Sequence, residues 1–272
     1  MPIVNHLKMS ARPRCTTSWD DGHPLDRRVA DLLAKYDLTG TFYVPMETGR
    51  SMMTRAQVRE LSDAFEVGAH TVHHVVLTDV RDHTAETEIR QSKQQLEEWT
   101  GRSCDAFCFP KGRFRRRHLD MVQRAGFRSA RTVELLSTRF PQATAGIYLI
   151  PTTVQACPYP WTTYAKNSLK RLTLASLVSL VVHVRSTNWV ETAHSILRVV
   201  ARRGGVFHLW GHSWEIDEQQ QWPQLEVIFR EMQALSSTIA CVPNSLLVPT
   251  ADSAPVLSEV QGTSREPGLP QP

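Results

Sequence analysis

Short runs of apolar and β-branched residues alternate with amphipathic stretches along most of this chain. Residues 15–19 (CTTSW) predict a strand. Residues 24–38 predict a helix, with Pro24 in its first turn and Leu25, Val29, Leu32, Leu33 and Tyr36 along one face. A second strand follows at 40–44, rich in aromatic and β-branched side chains. Residues 54–65 predict a helix capped by Thr54, and 66–70 a short strand. A charged helix over 84–99 turns Ile89, Leu96 and Trp99 inward and stops at Gly101. Further strands are expected at 106–110, 127–133, 146–153 and 206–211, with helices at 118–125, 192–203 and 224–235. This alternation predicts a parallel α/β architecture. From Pro249 onward the chain is rich in Ser, Pro, Glu, Gly and Gln with little to bury, which predicts a disordered tail. The expected organisation is an arm over 1–14, one domain over 15–248 and a tail over 249–272.

Composition narrows the class. Of 272 residues, 41% are hydrophobic and 21% charged, which excludes a wholly disordered or collagen-like chain. The most apolar stretch, 172–184, is interrupted by Ser176, Ser179 and His183 and falls short of the roughly 18 residues of a membrane span. It reads as a buried helix or strand, so no transmembrane segment is expected. A net charge of +4 is too small to point to nucleic acid. Five scattered cysteines without a CxxC pair fit a reducing compartment. The first residues lack an apolar run after a basic start, so a cytoplasmic location is expected.

Three separated pieces, each where a predicted strand ends, carry candidate chemistry. Strand C-termini are where parallel α/β folds place their sites. The first is Thr17-Ser18-Trp19-Asp20-Asp21-Gly22-His23-Pro24. Two adjacent carboxylates repel unless a positive charge intervenes, and a divalent metal is one solution; a helix cap followed by a turn aspartate is the plainer alternative. The second is Gly68-Ala69-His70-Thr71-Val72-His73-His74. His70 and His74 are spaced i, i+4, so a helical turn would place both imidazoles on one face at chelating distance; two surface histidines on a turn are the alternative. The third runs from Gly205 to Asp217 and contains His208 within the strand and His212 just past it. His208 suits a hydrogen-bonded core position, and His212 is better placed to act. One Asp and two His form a three-ligand site with an open position, typical of catalytic metals. A second Asp as base and a distant His as acid complete what metal-assisted hydrolysis needs.

At these residues the sequence resembles the polysaccharide deacetylases with a NodB-homology domain, carbohydrate esterase family four. Ser18-Trp19-Asp20-Asp21-Gly22 matches the family's Thr-Phe-Asp-Asp-Gly motif. The match implies Asp20 as catalytic base and Asp21 as a metal ligand. His70-Thr71-Val72-His73-His74 matches the family's His-Ser/Thr-x-x-His motif, implying His70 and His74 as the other ligands. His212-Ser213-Trp214-Glu215-Ile216-Asp217 is similar to the family's His-Pro-Trp-Glu-Leu-Asp variant, implying His212 as the acid. Cys108-Phe109-Pro110-Lys111-Gly112 keeps the Pro and Gly of Arg-x-Pro-Tyr-Gly but lacks its Arg and Tyr. The family's Arg holds the catalytic Asp; Arg113 and Arg131 are the nearby substitutes. The Lys111 backbone N–H would still serve an oxyanion hole. The family's Asp-x-x-Asp-Trp motif has no match.

The resemblance implies a distorted (β/α) barrel of the NodB-homology type as a single domain. It also implies a divalent metal, Zn²⁺ first with Co²⁺, Fe²⁺ or Mn²⁺ as alternatives, and an N-acetylated sugar or glycan as substrate. A non-sugar amide is the competing substrate, and a catalytically silent carbohydrate-binding homologue the competing class. Trp210, Trp214 and Arg113 are candidate substrate contacts, with Trp161 and Trp222 as further stacking candidates. The basic run of Arg113, Arg115, Arg116 and Arg117 fits either a solvated helix start or contact with an anionic substrate such as a phosphate-bearing glycan, lipid carrier or nucleotide sugar.

Overall fold

A computed structural model describes residues 12–158 and 188–249. The arm before residue 12, the apolar stretch at 172–184, Trp161 and the tail beyond 249 lie outside the described residues. Among those described, ten strands form one sheet in the order β6-β7-β5-β4-β3-β2-β1-β9-β8, with β10 also beside β1. The central strand is β1 (Arg14–Asp20), flanked by β2 (Thr41–Val44) and β9 (Val206–Gly211). Outward from β2 lie β3 (Glu66–Ala69), β4 (Ala106–Cys108), β5 (Ser129–Arg131), β7 (Ile147–Ile150) and β6 (Gln142–Thr144). On the other side, β8 (Val154–Gln155) pairs with β9, and β10 (Ala240–Cys241) with the start of β1. Every pairing is parallel except the β6–β7 hairpin. The sheet curls into the partial barrel of the NodB type, as expected.

The helices connect these strands: α1 (Asp26–Lys35), α2 (Arg55–Ala64), α3 (Asp82–Thr100), α4 (Arg116–Arg124), α5 (Trp189–Arg203), α6 (Ser213–Glu218) and α7 (Trp222–Ala234). Their ends follow the local chemistry. Thr54 and Gln57 form a reciprocal capping box on α2, satisfying two N-terminal donors. Gly101 closes α3 in the left-handed conformation that a side chain would resist. The first helix stops short of the expected residue 38: Asp37 turns left-handed and the Leu38 N–H returns to the Leu33 carbonyl. Of the predicted strand at 146–153 only residues 147–150 are extended, as β7, and the separate β8 lies just beyond it. The hairpin to β6 was not legible, because residues 142–144 are exposed or half-exposed and carry no apolar alternation.

Strand β1 is buried on both faces apart from its first residue, so it carries no alternation: Thr16, Thr17 and Ser18 are as buried as Cys15 and Trp19. Trp19 meets Phe229 of α7 edge to face at 6.2 Å. Register aligns the strand ends, with Asp20 opposite Tyr43, Trp19 opposite Gly211 and Cys108 opposite Arg131. The C-terminal ends of β1, β3, β4, β5 and β9 therefore open onto one rim.

Candidate active site

The chain leaving β1 turns sharply at Asp21, whose φ of 79° is left-handed, and Asp20 and Asp21 project separately. Both are buried. Asp21 Oδ2 accepts a hydrogen bond from the Trp214 indole N–H at 3.0 Å. Its Oδ1 is buried without a hydrogen-bond partner, 3.8 Å from His70 Nε2 and 3.4 Å from His74 Nε2.

The His70–His74 segment is not the helical turn its spacing predicts. It is a loop off the end of β3, with Thr71 and His74 at φ 64° and 51°. A helix would need both in the right-handed region; the left-handed residues fold the loop back and bring the rings to 4.9 Å between centroids. Glu88, buried on α3, holds this shape. Its Oε2 accepts the N–H groups of Val72 and His73, each at 2.9 Å, and its Oε1 lies 2.6 Å from His73 Nδ1. The Cys108 carbonyl can only accept, so His70 donates Nδ1–H to it at 2.9 Å and its Nε2 faces Asp21. Burial foremost, with His74 and Arg131 adding, pushes the His70 pKa down to about 4, leaving a neutral imidazole.

These donors suit a metal. Donors about 3.4 Å apart are the edges of a tetrahedron with bonds of about 2.1 Å, and Asp21 Oδ1 has no other partner. A second group, Asp20, His70 and Cys108, also lies close together. It suits a cation less well. Burial holds the Cys108 thiol well above its ordinary pKa, and Asp20 already faces a guanidinium.

That guanidinium belongs to Arg131. From the end of β5 it reaches inside the curl of the sheet to Asp20 Oδ2, fully buried, over the rings of Trp210 at 4.6 Å and Tyr43 at 5.5 Å. Of the two substitutes for the absent motif arginine, Arg131 contacts Asp20. Arg113 is exposed, pairs with Asp79 at 2.9 Å, and lines a neighbouring cavity instead of the cleft around Asp20. Cys108, the small residue in the motif position, stands next to Arg131 in register. Burial alone would raise the Asp20 pKa, but the charges of Arg131, His70 and His212 hold it below the usual value.

His212 enters from the end of β9, its Nε2 3.9 Å from Asp21 Oδ2 and 4.0 Å from Asp20 Oδ2. Its Nδ1 donates to Glu215 Oε2 at 2.7 Å, one turn along α6, and Gln155 of β8 donates to the same oxygen at 2.9 Å. Burial disfavours the His212 cation, but Glu215, Asp20 and Asp21 outweigh it and raise the pKa. His208 behaves oppositely. It bridges Ser18 Oγ and the Pro151 carbonyl, each at 2.8 Å, and burial with the Arg131 charge pushes its pKa down to about 3.

A cleft of about 360 Å³ is lined by Asp20, Asp21, His70, His74, Lys111 and His212, among others. Lys111 sits at φ 55° in a tight turn closed by the N–H groups of Gly112 and Arg113, which leaves its own N–H outside those bonds. Trp210 and Trp214 also line the cleft. The Trp214 N–H is committed to Asp21, and the Arg50 guanidinium covers its ring at 3.5 Å. Trp222 packs in the core under Arg28, bonded to Asp217.

Residues 10–130 match the family model of the polysaccharide deacetylases. That segment, under half of the chain, is similar to the polysaccharide deacetylases. The matched segment contains Asp20, Asp21, His70, His74 and Lys111 and ends just before Arg131, so the arginine and His212 lie beyond it. No curated protein matches the chain. Among solved structures it is similar to a Mycobacterium smegmatis protein classed with the polysaccharide deacetylases, at 16% identity and TM-score 0.60, covering 87% of this chain and 90% of that one. A family 4 carbohydrate esterase from Streptomyces lividans, in complex with acetate, aligns at 13% identity and TM-score 0.50, covering 84% and 92%. The Xyl-CE4 domain of a multidomain xylanase from the hindgut metagenome of Trinervitermes trinervoides gives 11%, 0.50, 87% and 90%. At these identities the likeness is one of fold. No helix among the described residues is long and apolar enough to cross a membrane.

Proposed function

We propose that this chain is a metal-dependent hydrolase that removes N-acetyl groups from an amino sugar or glycan. The observation that carries the reading is the convergence of Asp21, His70 and His74 on one point, with Asp20 and His212 beside it. Asp21, His70 and His74 would hold the cation, Zn²⁺ being the ion this donor set favours. When bound, it supplies Lewis-acid activation of water and of the amide carbonyl.

The side chains supply the rest. Arg131 keeps Asp20 ionised, and Asp20 Oδ1, buried without a partner, is free to take a proton from the attacking water. The Lys111 N–H is an oxyanion donor of the kind whose loss costs about 3–4 kcal/mol of transition-state stabilisation. Glu215 fixes the His212 tautomer and favours its protonated form, so Nε2 can deliver a proton to the departing amine. Acetate and a free amino sugar result.

Acetate release from a panel of N-acetylated sugars and non-sugar amides, measured beside bound metal, tests this. His70→Ala should lose metal and turnover together, whereas Asp20→Asn should retain metal and lose about 10²–10⁴-fold in rate. A metal-free His70→Ala protein that still turns over would reject the ligand assignment. Turnover of the amides alone would replace the sugar with another substrate. Sugar binding without turnover would leave only the silent homologue.

A further inference from the structure

Beside the cleft around Asp20 lies a larger cavity of about 580 Å³ that the reaction does not use. The two share Lys111 and Val133 as a common wall. The wall is thin because Gly112 lets the turn press on Val133: a Cβ on Gly112 would fall 2.1 Å from Val133 Cγ2. A substrate held with its acetamide between Asp20 and His212 can extend over Lys111 into this second space without crossing the core.

Among the described residues, the cavity is lined by Lys111, Arg113 and Arg139 and by one carboxylate, Glu134. Arg139 pairs with Glu134 at 2.6 Å, and Arg113 with Asp79 at 2.9 Å. The Arg113, Arg139 and Asp79 side chains are all at least half exposed, so water weakens these pairs. Arg113 meets Asp79, and Arg139 meets Glu134, through one nitrogen of a guanidinium that carries five N–H donors. Lys111 is exposed and has no carboxylate partner among the described residues. Phe114, itself stacked on Phe109 at 4.3 Å, and Phe140 add apolar faces.

We infer that this cavity is a subsite for an oxyanion, a carboxylate or phosphate ester, carried on the sugar unit joined to the one that is deacetylated. Arg139, Arg113 and Lys111 are its cationic contacts, and the phenylalanines pack the ring that bears it. Planar guanidinium forks match both oxyanions in geometry and charge. The inference rests on the proposed reaction for what fills the cleft, but its binding arm does not. It also gives Lys111 and Arg113, alone among the basic residues that follow β4, a role beyond solvation.

The test uses the full chain with its metal and three matched substrates: a neutral N-acetylglucosamine disaccharide, N-acetylglucosamine joined to glucuronic acid, and the corresponding phosphate ester. The anionic substrates should show the higher kcat/KM. Arg139→Ala should lower their kcat/KM about 10-fold while leaving the neutral one within about twofold. Preference for uronate or for phosphate identifies which oxyanion is recognised, and either supports the subsite. Equal kcat/KM for charged and neutral substrates in the wild type, or an equal loss on both in Arg139→Ala, overturns it. Calorimetric titration with a glucuronic acid disaccharide lacking acetamide separates the two readings. Absence of acetate from every substrate defeats the deacetylase reading alone. Failure of that titration together with failure of the same titration with the corresponding phosphate ester, or binding indifferent to Arg139→Glu, defeats the subsite.

Discussion

Asp20 and Arg131 form a buried ion pair whose partners are worth little singly. Each charge has been taken out of water, and removing one strands the other at a cost of about 3–5 kcal/mol. Arg131→Met should therefore lower the unfolding free energy by about that amount and reduce acetate release by at least about 10²-fold. The double variant Arg131→Met/Asp20→Asn should recover much of the stability and none of the turnover. Denaturant melts beside rate measurements separate the two effects.

Asp26, fully buried near Ser213, has neither carboxyl oxygen in a good hydrogen bond. Burial holds its carboxyl well above the ordinary range, with Ser213 opposing and Asp21 and Asp20 adding. An unfolded aspartate ionises near pH ~3.9. Above that pH the unfolded chain has lost a proton that the native state keeps, so stability falls by up to about 1.4 kcal/mol per pH unit until the native group ionises. Asp26→Asn removes this slope. Melting temperatures recorded from about pH 5 to 8 should fall less steeply in the variant.

Among the elements, α3 does more than cover the sheet. Its Glu88 accepts two backbone N–H groups of the loop that presents His70 and His74, a loop with two left-handed residues that unsupported chain would leave. Glu88→Ala should weaken zinc affinity about 10–100-fold, and Glu88→Gln less, because an amide oxygen can still accept one of the N–H bonds. Competition with a fluorescent zinc chelator measures this without activity. Periodicity located α3 and its Gly101 stop, and Thr54 announced α2, because a helix face and a cap are local signals. Glu88 gave no such signal: it lies in a strongly charged helix, and its partners are backbone atoms that any residue would supply. The same limit explains the His70–His74 segment, where spacing suggested a helical turn and left-handed residues made a loop.

Over the whole molecule, five strand ends supply one rim, and the three motif pieces meet there because parallel strands share a direction. A cation at Asp21, His70 and His74 would also offset the repulsion between neighbouring carboxylates. Chelation should abolish acetate release. In zinc at about a thousandfold over its Kd, binding contributes roughly 4 kcal/mol, so chelation should lower the melting temperature by about 8–16 °C. Zinc should restore both, as calorimetry and a rate assay would record. The strand-end motifs and the α/β order were readable from sequence because both depend on short segments. Which cation would answer for the missing motif arginine was not, since Arg131 reaches Asp20 from four strands away in the sheet.

That reach bears on how such chains are sorted. A comparison made column by column scores position 108 as a deleted essential group and files the protein among inactive descendants. Space is the better ledger: a guanidinium launched from the adjoining strand arrives at Asp20, so position 108 is judged together with position 131.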